Sequence, residues 1–379
     1  MPFVRPRRDM CYAMVRLLLR SACFALVLAL VASNFTESYV SRYAAALLQL
    51  ARYGHPTPHI LDENGVPRVR YARLNDRYYD NPVYVGIYGL LYYDRWTQRG
   101  ENADFLGIYE RFSLYPPRDP PGAEVWKNRF LATADWFATH IRVRTSGEGY
   151  TYGVYEYAFP WDYYDLLPPW RSGMAQALAL QVLLRAWQLT GNPTYQEAAE
   201  LTKRAFTVPV EEGGVAYKET PSAWWYEEYA APGARRSRVP NGMEHALIAL
   251  HEYSQAQKDR EAQELFDSGL AALERAIEAY GDPAIPWTYY DAIGTVANYK
   301  YHRLNVALTR RLYDLTGSET LAIYRTWDRW RTPFLVREFL RQKPNYLDWS
   351  ILLLNYLLAQ ILVLGGVFTI RALKRRRWV

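Results

Sequence analysis

Ser172-Gly-Met-Ala-Gln-Ala-Leu-Ala-Leu-Gln-Val-Leu-Leu-Arg-Ala-Trp-Gln-Leu-Thr-Gly-Asn-Pro193 decides the fold. Met174, Leu178, Val182, Ala186 and Leu189 recur at three or four residues, the spacing of one helix face. Leu189-Thr-Gly191 ends that helix, because glycine readily takes the left-handed conformation that closes a helix C-terminus. Asn192-Pro193 opens the next: Asn caps free backbone N–H groups, proline suits the first turn, and the helix is predicted to run to Phe206. The plan recurs. Asn241-Gly-Met-Glu-His-Ala-Leu247 opens a helix as Ser172-Gly-Met-Ala-Gln-Ala-Leu178 does, with a partner over about 260–279. Tyr301–Leu315 ends in Leu315-Thr-Gly317, with a partner reaching Trp330.

Upstream, Val85, Tyr88, Leu91 and Tyr92 make a stripe after Asn81-Pro82, and Trp126, Phe130, Ala134 and Phe137 make another within 125–140. Helical hairpins recurring at roughly 60–70 residues predict a mainly α protein, an (α/α) array able to close into a toroid. The glycines and near-alternating aromatics of Ser146–Tyr157 predict one short β-hairpin. The proline-rich, aromatic loops lie between the helices, at the rim.

The two ends differ from the body. Residues 350–370 have the length and apolarity of a membrane-spanning helix, interrupted only by Asn355 and Gln360. Tyr346 and Trp349 precede that span, and Arg371 with Lys374–Arg377 follows it, the pattern of a cytoplasmic end. Ser21–Ala32 is apolar over signal-peptide length, with small residues at Val31-Ala-Ser33. If Arg16 and Arg20 snorkel, Tyr12–Ala32 reads equally as a retained anchor. The expected organisation is a signal peptide or anchor over 1–33, a connector over 34–80 and an α/α domain over 81–345. A transmembrane helix over 350–370 and a basic cytoplasmic tail over 371–379 complete it. Either N-terminal reading puts the body outside the cytoplasm.

Net charge is +6, but the ends contribute +4 and +5, leaving the body near −3. A nucleic-acid-binding face is therefore not expected. Cys11 and Cys23 both lie in the leader, which excludes disulfides and thiol chemistry from the body. The scattered histidines give no metal pattern, and no glycine-rich phosphate loop follows a strand, so neither a metal nor a cofactor is expected.

Chemistry is expected in two loops that each lead into a helix, Trp224-Trp-Tyr-Glu-Glu-Tyr229 and Pro283–His302. The acids Glu227, Glu228, Glu244 and Asp291 could serve a glycosidase. The tyrosines point elsewhere: removing a proton alpha to a carboxylate needs a base and a cation for the developing charge. Lys300, His302 and Arg303 flank Tyr301, and Arg235, Arg236 and Arg238 could hold an acidic substrate. Trp161, Tyr163 and Trp225 could stack on sugar rings. The same tyrosines also read as packing at helix starts.

In order along the chain, Ser172-Gly-Met with Leu189-Thr-Gly, Trp225-Tyr-Glu-Glu-Tyr229 with Asn241-Gly-Met, Tyr290-Asp291 and Tyr301-His302 resemble a known family. They are similar to the C-terminal helical domain of the D-glucuronyl C5-epimerases, over about 80–335. The resemblance implies a toroid-like domain and metal-independent C5 proton exchange converting glucuronate to iduronate in heparan-type polysaccharide. It carries the catalytic role to Tyr229, Tyr290 and Tyr301, with Tyr289 competing for Tyr290's place. Glu228, Arg235, Arg238, Lys300, His302, Trp161, Tyr163 and Trp225 are then expected to bind substrate. The implied partners are an acidic polysaccharide and a membrane, with a homodimer or a glycan synthase complex left open. The chain departs from the animal pattern in lacking a sizeable β-rich region ahead of the helices, in its basic loop 231–238 and in its C-terminal membrane helix. A lyase or hydrolase acting on an acidic glycan, and a noncatalytic glycan-binding subunit, are the alternatives.

Overall fold

The structure, a computed structural model, describes residues 7–54, 57–71, 74, 77–114, 122–329 and 332–376. His55 and the outermost residues of both basic ends lie outside these. The chain forms two compact units, 57–331 and the pair of terminal segments 1–56 with 332–379.

The larger unit begins with a small antiparallel sheet, β1 (His59–Leu61), β2 (Pro67–Val69) and β3 (Tyr79–Asp80), with β2 central. Then follow α2 (Pro82–Thr97), α3 (Ala103–Phe112) and α4 (Ala123–His140), the number α1 being kept for the N-terminal helix of the other unit. The predicted hairpin is present as β4 (Arg142–Thr145) and β5 (Thr151–Val154). Next come α5 (Gly173–Thr190), α6 (Pro193–Arg204), and a second hairpin, β6 (Ala216–Thr220) and β7 (Ala223–Tyr226). The unit closes with α7 (Pro240–Gln257), α8 (Arg260–Ala276), α9 (Tyr299–Thr316) and α10 (Tyr324–Asp328).

The expected caps do their work. Ser172 Oγ accepts the Ala175 N–H at 3.2 Å, Asn192 Oδ1 that of Thr194 at 3.0 Å, and Gly191 and Gly317 close α5 and α9 in the left-handed conformation. Layering follows from patterning. Residues 173–186 of α5 are buried on every side, whereas α8 buries only Ala262, Leu265, Phe266, Gly269, Ala272 and Leu273. A helix apolar all round belongs inside and one with a single apolar stripe outside. Accordingly α2 packs on α5, α5 on α7, α7 on α9 and α9 on α3, which follows α2 in the chain and so closes an inner ring. Outside it, α4 covers α2 and α5, α6 covers α5, α8 covers α7, and α10 covers α9. Gly86 permits the closest approach: a Cβ there would lie 2.4 Å from Leu178 Cβ.

Four features differ from expectation. The β1–β3 sheet, helix α3 and the β6–β7 hairpin are additions to the expected elements, and the segment expected as a connector over 34–80 divides. Its first part continues α1 to Tyr53, and from Thr57 it belongs to the ring unit.

The other unit pairs α1 (Arg7–Tyr53) with α11 (Tyr346–Arg376), and a short π-helical turn at Val336–Leu340 precedes α11. Met14–Val40 and Tyr346–Leu373 are each long and apolar enough to cross a membrane.

Candidate active site

The N-terminal ends of α2, α5, α7 and α9 meet at one end of the ring, together with the last turn of α3. They surround an open cavity, to which Asn81, Ser172, Asn241, Tyr301 and Tyr109 contribute. Helix N-termini carry partial positive charge, so this arrangement favours an anionic ligand. The loops that precede the helices supply an aromatic wall. Tyr157 and Trp170 stack at 3.8 Å and 7°, and Trp161 lies almost parallel to Tyr229, at 8° with ring centres 6.3 Å apart.

The three tyrosines come together across repeats. Tyr229 and Tyr290 join hydroxyls at 3.0 Å, and the Tyr290 and Tyr301 rings lie 4.5 Å apart. The local cause for Tyr290 is an Asp291 turn. Its carboxylate accepts the N–H groups of Ile293 and Thr295 and the hydroxyls of Thr295 and Tyr164, at 2.7–3.1 Å. Asn298 caps α9 through the Tyr301 N–H and so fixes the start of the helix carrying Lys300 and Tyr301.

The adjacent acids have different tasks. Glu227 is fully buried and accepts the Ser237 hydroxyl at 2.5 Å and the Arg238 N–H at 3.1 Å, so it staples the 231–238 loop. Glu228 lines the cavity, and its buried Oε2 meets no hydrogen-bond partner among the described residues. Burial, reinforced by Glu227, pushes the Glu228 carboxyl up to about 8. Lys300 also lines the cavity: its Nζ donates to Ser113 Oγ at 2.6 Å and sits 4.9 Å over the Tyr301 ring. Burial lowers the Lys300 ammonium to about 7, against an opposing pull from Glu228. Burial first, then charged and phenolic neighbours, raises Tyr229, Tyr290 and Tyr301 above the ordinary tyrosine value, so all three hold their protons.

Other residues expected to bind substrate stand apart from the cavity wall. Trp225 is wholly buried in the ring core, because β7 turns it inward and leaves Trp224 half-buried. Arg238 is ion-paired with Glu219, and Arg235 is exposed on its loop. His302 stacks on Trp287 at 3.7 Å with Nδ1 3.1 Å from Thr288 Oγ1, supporting the Tyr290 loop from beneath. Tyr289 donates to Asp282 at 3.2 Å, which leaves Tyr290 as the member of the cluster. Tyr163 meets Thr295 Oγ1 at 2.9 Å and so ties the 159–170 loop to the Asp291 turn. The sequence reading passed over Asn241, a cavity residue whose buried Nδ2 meets no partner among the described residues. Its signal was the Asn-Gly-Met that opens α7.

Residues 148–332 match the family described as D-glucuronyl C5-epimerase C-terminus. The chain is 30% identical over 226 residues to a Caenorhabditis elegans D-glucuronyl C5-epimerase, 55% of this chain and 35% of that protein. It therefore spans about a third of that relative's length. It is 25% identical over 282 residues to an uncharacterized protein of Methanocaldococcus jannaschii, 73% of this chain and 86% of that one. Among solved structures, a family 76 α-mannanase of Bacteroides thetaiotaomicron aligns at TM-score 0.44 and 10% identity, over 91% of this chain and 88% of that one. A Streptococcus agalactiae unsaturated glucuronyl hydrolase aligns at 0.37 and 13%, over 89% and 91%.

Proposed function

We propose, from the match of residues 148–332 to the D-glucuronyl C5-epimerase C-terminal family, that the chain inverts C5 of glucuronate units in an acidic polysaccharide. The observation that carries the reading is Glu228, a buried carboxyl with an unpartnered oxygen. It lies in a cavity whose other ionisable lining groups, among the described residues, are Lys300 and tyrosines.

Burial and neighbouring charge work against a phenolate base at any of the three tyrosines. Glu228 as carboxylate takes H5. The C5–H electron pair moves into the C6 carboxylate, and Lys300 with the converging helix ends neutralises the charge that gathers there. A tyrosine hydroxyl returns a proton to the opposite face; the resulting phenolate takes a proton from solvent, relayed by the Tyr229–Tyr290 hydroxyl pair, and Glu228 releases the abstracted proton to solvent, so both groups return to their starting state. Lys300 is the one cation lining the cavity among the described residues, which suits a unit with a single carboxylate, as in an unsulfated polymer. The basic flanks of the two apolar helices favour 57–331 lying outside the cytoplasm.

A hydrolase would need a second carboxyl flanking the bond. Glu227 and Asp291 are both committed to stapling loops, and Glu228 is the acid of the wall. A lyase shares the first step and then expels the O4 substituent. Incubation of the full chain in detergent with unsulfated glucuronate polymer in deuterated water separates these readings. Deuterium at C5 with intact chains is expected; new unsaturated ends would indicate a lyase, shorter chains without label a hydrolase, and binding without exchange a noncatalytic subunit.

A further inference from the structure

The sequence leaves 14–40 open between a segment that is cut away and one that stays. The structure supplies four observations that bear on the choice. First, α1 buries Ser21, Ala25, Ala29, Ser33 and Glu37 at every fourth residue, with Ser38 beside the last, and α11 buries Asp348, Ile351, Asn355 and Ala359 at spacings of three, four and four. Two stripes of that period belong to helices packed along their length, and small side chains let the backbones come close.

Second, the polar interruptions of the C-terminal span are answered from the N-terminal one. Asn355 Nδ2 donates to Ser33 Oγ at 3.2 Å and Thr36 Oγ1 at 2.8 Å, and Gln360 Nε2 donates to Ser21 Oγ at 3.1 Å. Without α1, both amides would face hydrocarbon with fewer partners, which costs free energy. Third, Arg337 is wholly buried and ion-paired with Glu37 of α1 as well as with Glu338. Fourth, only 17% of each apolar window is buried, so the remaining faces stay apolar and outward, as they would toward lipid rather than in a soluble core.

We infer that Met14–Val40 is not removed but stays as a transmembrane helix, whose partner is Tyr346–Leu373 of the same chain: an antiparallel two-helix membrane hairpin. The sequence agrees at both outer ends, since Arg5, Arg7 and Arg8 precede the first span and Arg371 with Lys374–Arg377 follows the second. A hairpin brings these two basic clusters to one membrane face, as the positive-inside preference requires.

The test uses the full chain with a C-terminal tag, extracted from membranes. Its intact mass and N-terminal sequence are expected to include the residues before Tyr12; a mature N-terminus within 31–36 would overturn the inference. Pairing is read separately, with Cys11→Ala and Cys23→Ala as background. Ser33→Cys with Asn355→Cys is expected to lose both free thiols on mild oxidation within one chain. Val31→Cys with Asn355→Cys, from the outward face of α1, is expected to keep them. A retained N-terminus without the 33–355 cross-link, or equal cross-linking in both pairs, would sink the paired hairpin.

Discussion

Glu227 and Glu228 are neighbours with opposite fates, and substitution separates them. Glu228→Gln is expected to cut C5 deuterium exchange by roughly 10²–10⁴-fold, the usual worth of a positioned acid–base group, with the fold retained. Glu227→Gln removes the charge that the Ser237 hydroxyl and Arg238 N–H bind, and is expected to lower the melting temperature before it touches chemistry. The raised Glu228 carboxyl also sets a pH signature. Between about 4.5 and 8 the unfolded chain has released this proton and the folded chain keeps it, so the group lowers stability as pH rises through that window. Thermal unfolding should therefore show Glu228→Gln gaining on wild type from pH 5 to 8 and gaining no further above it. Tyr229→Phe, Tyr290→Phe and Tyr301→Phe are each expected to slow exchange; uptake unchanged in all three would refute tyrosine as the proton donor.

At the scale of elements, the helix starts matter most, and Gly242 shows why. A Cβ at this position in the first turn of α7 would lie 2.6 Å from Glu228 Oε2. Gly242→Ala is expected to displace that carboxyl and reduce kcat more than it reduces stability, checked by kinetics beside thermal melts. Asn241→Leu, one residue earlier, is expected to raise KM. Much of this level was legible in the sequence. The caps at Ser172 and Asn192, the glycine stops at 191 and 317, and the tyrosines of successive repeats all depend on local chemistry that a short motif displays. What stayed hidden depends on partners far along the chain. Helix α3 buries little beyond Phe105, Leu106 and Tyr109, too few for a stripe to stand out. Trp225 seemed available because Trp224–Tyr226 read as a loop, and only the register of β7 with β6 decides which tryptophan turns inward. Arg238 reads as a substrate clamp in the sequence, but its guanidinium is ion-paired with Glu219 of β6. The inner and outer helices were not told apart, since the stripe through Met174 and Leu178 is part of a helix buried all round.

At the scale of the whole molecule, the charged ends and the near-neutral body have separate roles. With one lysine in the wall, KM for a uronate polymer is expected to change only weakly with salt, as one exposed-to-buried charge contact would allow rather than a basic surface. Titrating KM against ionic strength checks this, and a steep rise would point to the basic 231–238 loop as a second docking element. Ring closure has one more consequence. Lys300 reaches Ser113 across 187 residues of sequence, and Tyr301 waits on the last inner helix. During synthesis, then, every earlier repeat can be complete while the proposed site still lacks Lys300 and Tyr301. On that proposal the nascent chain is expected to gain activity in one late event, when α9 seats against α7 and α3.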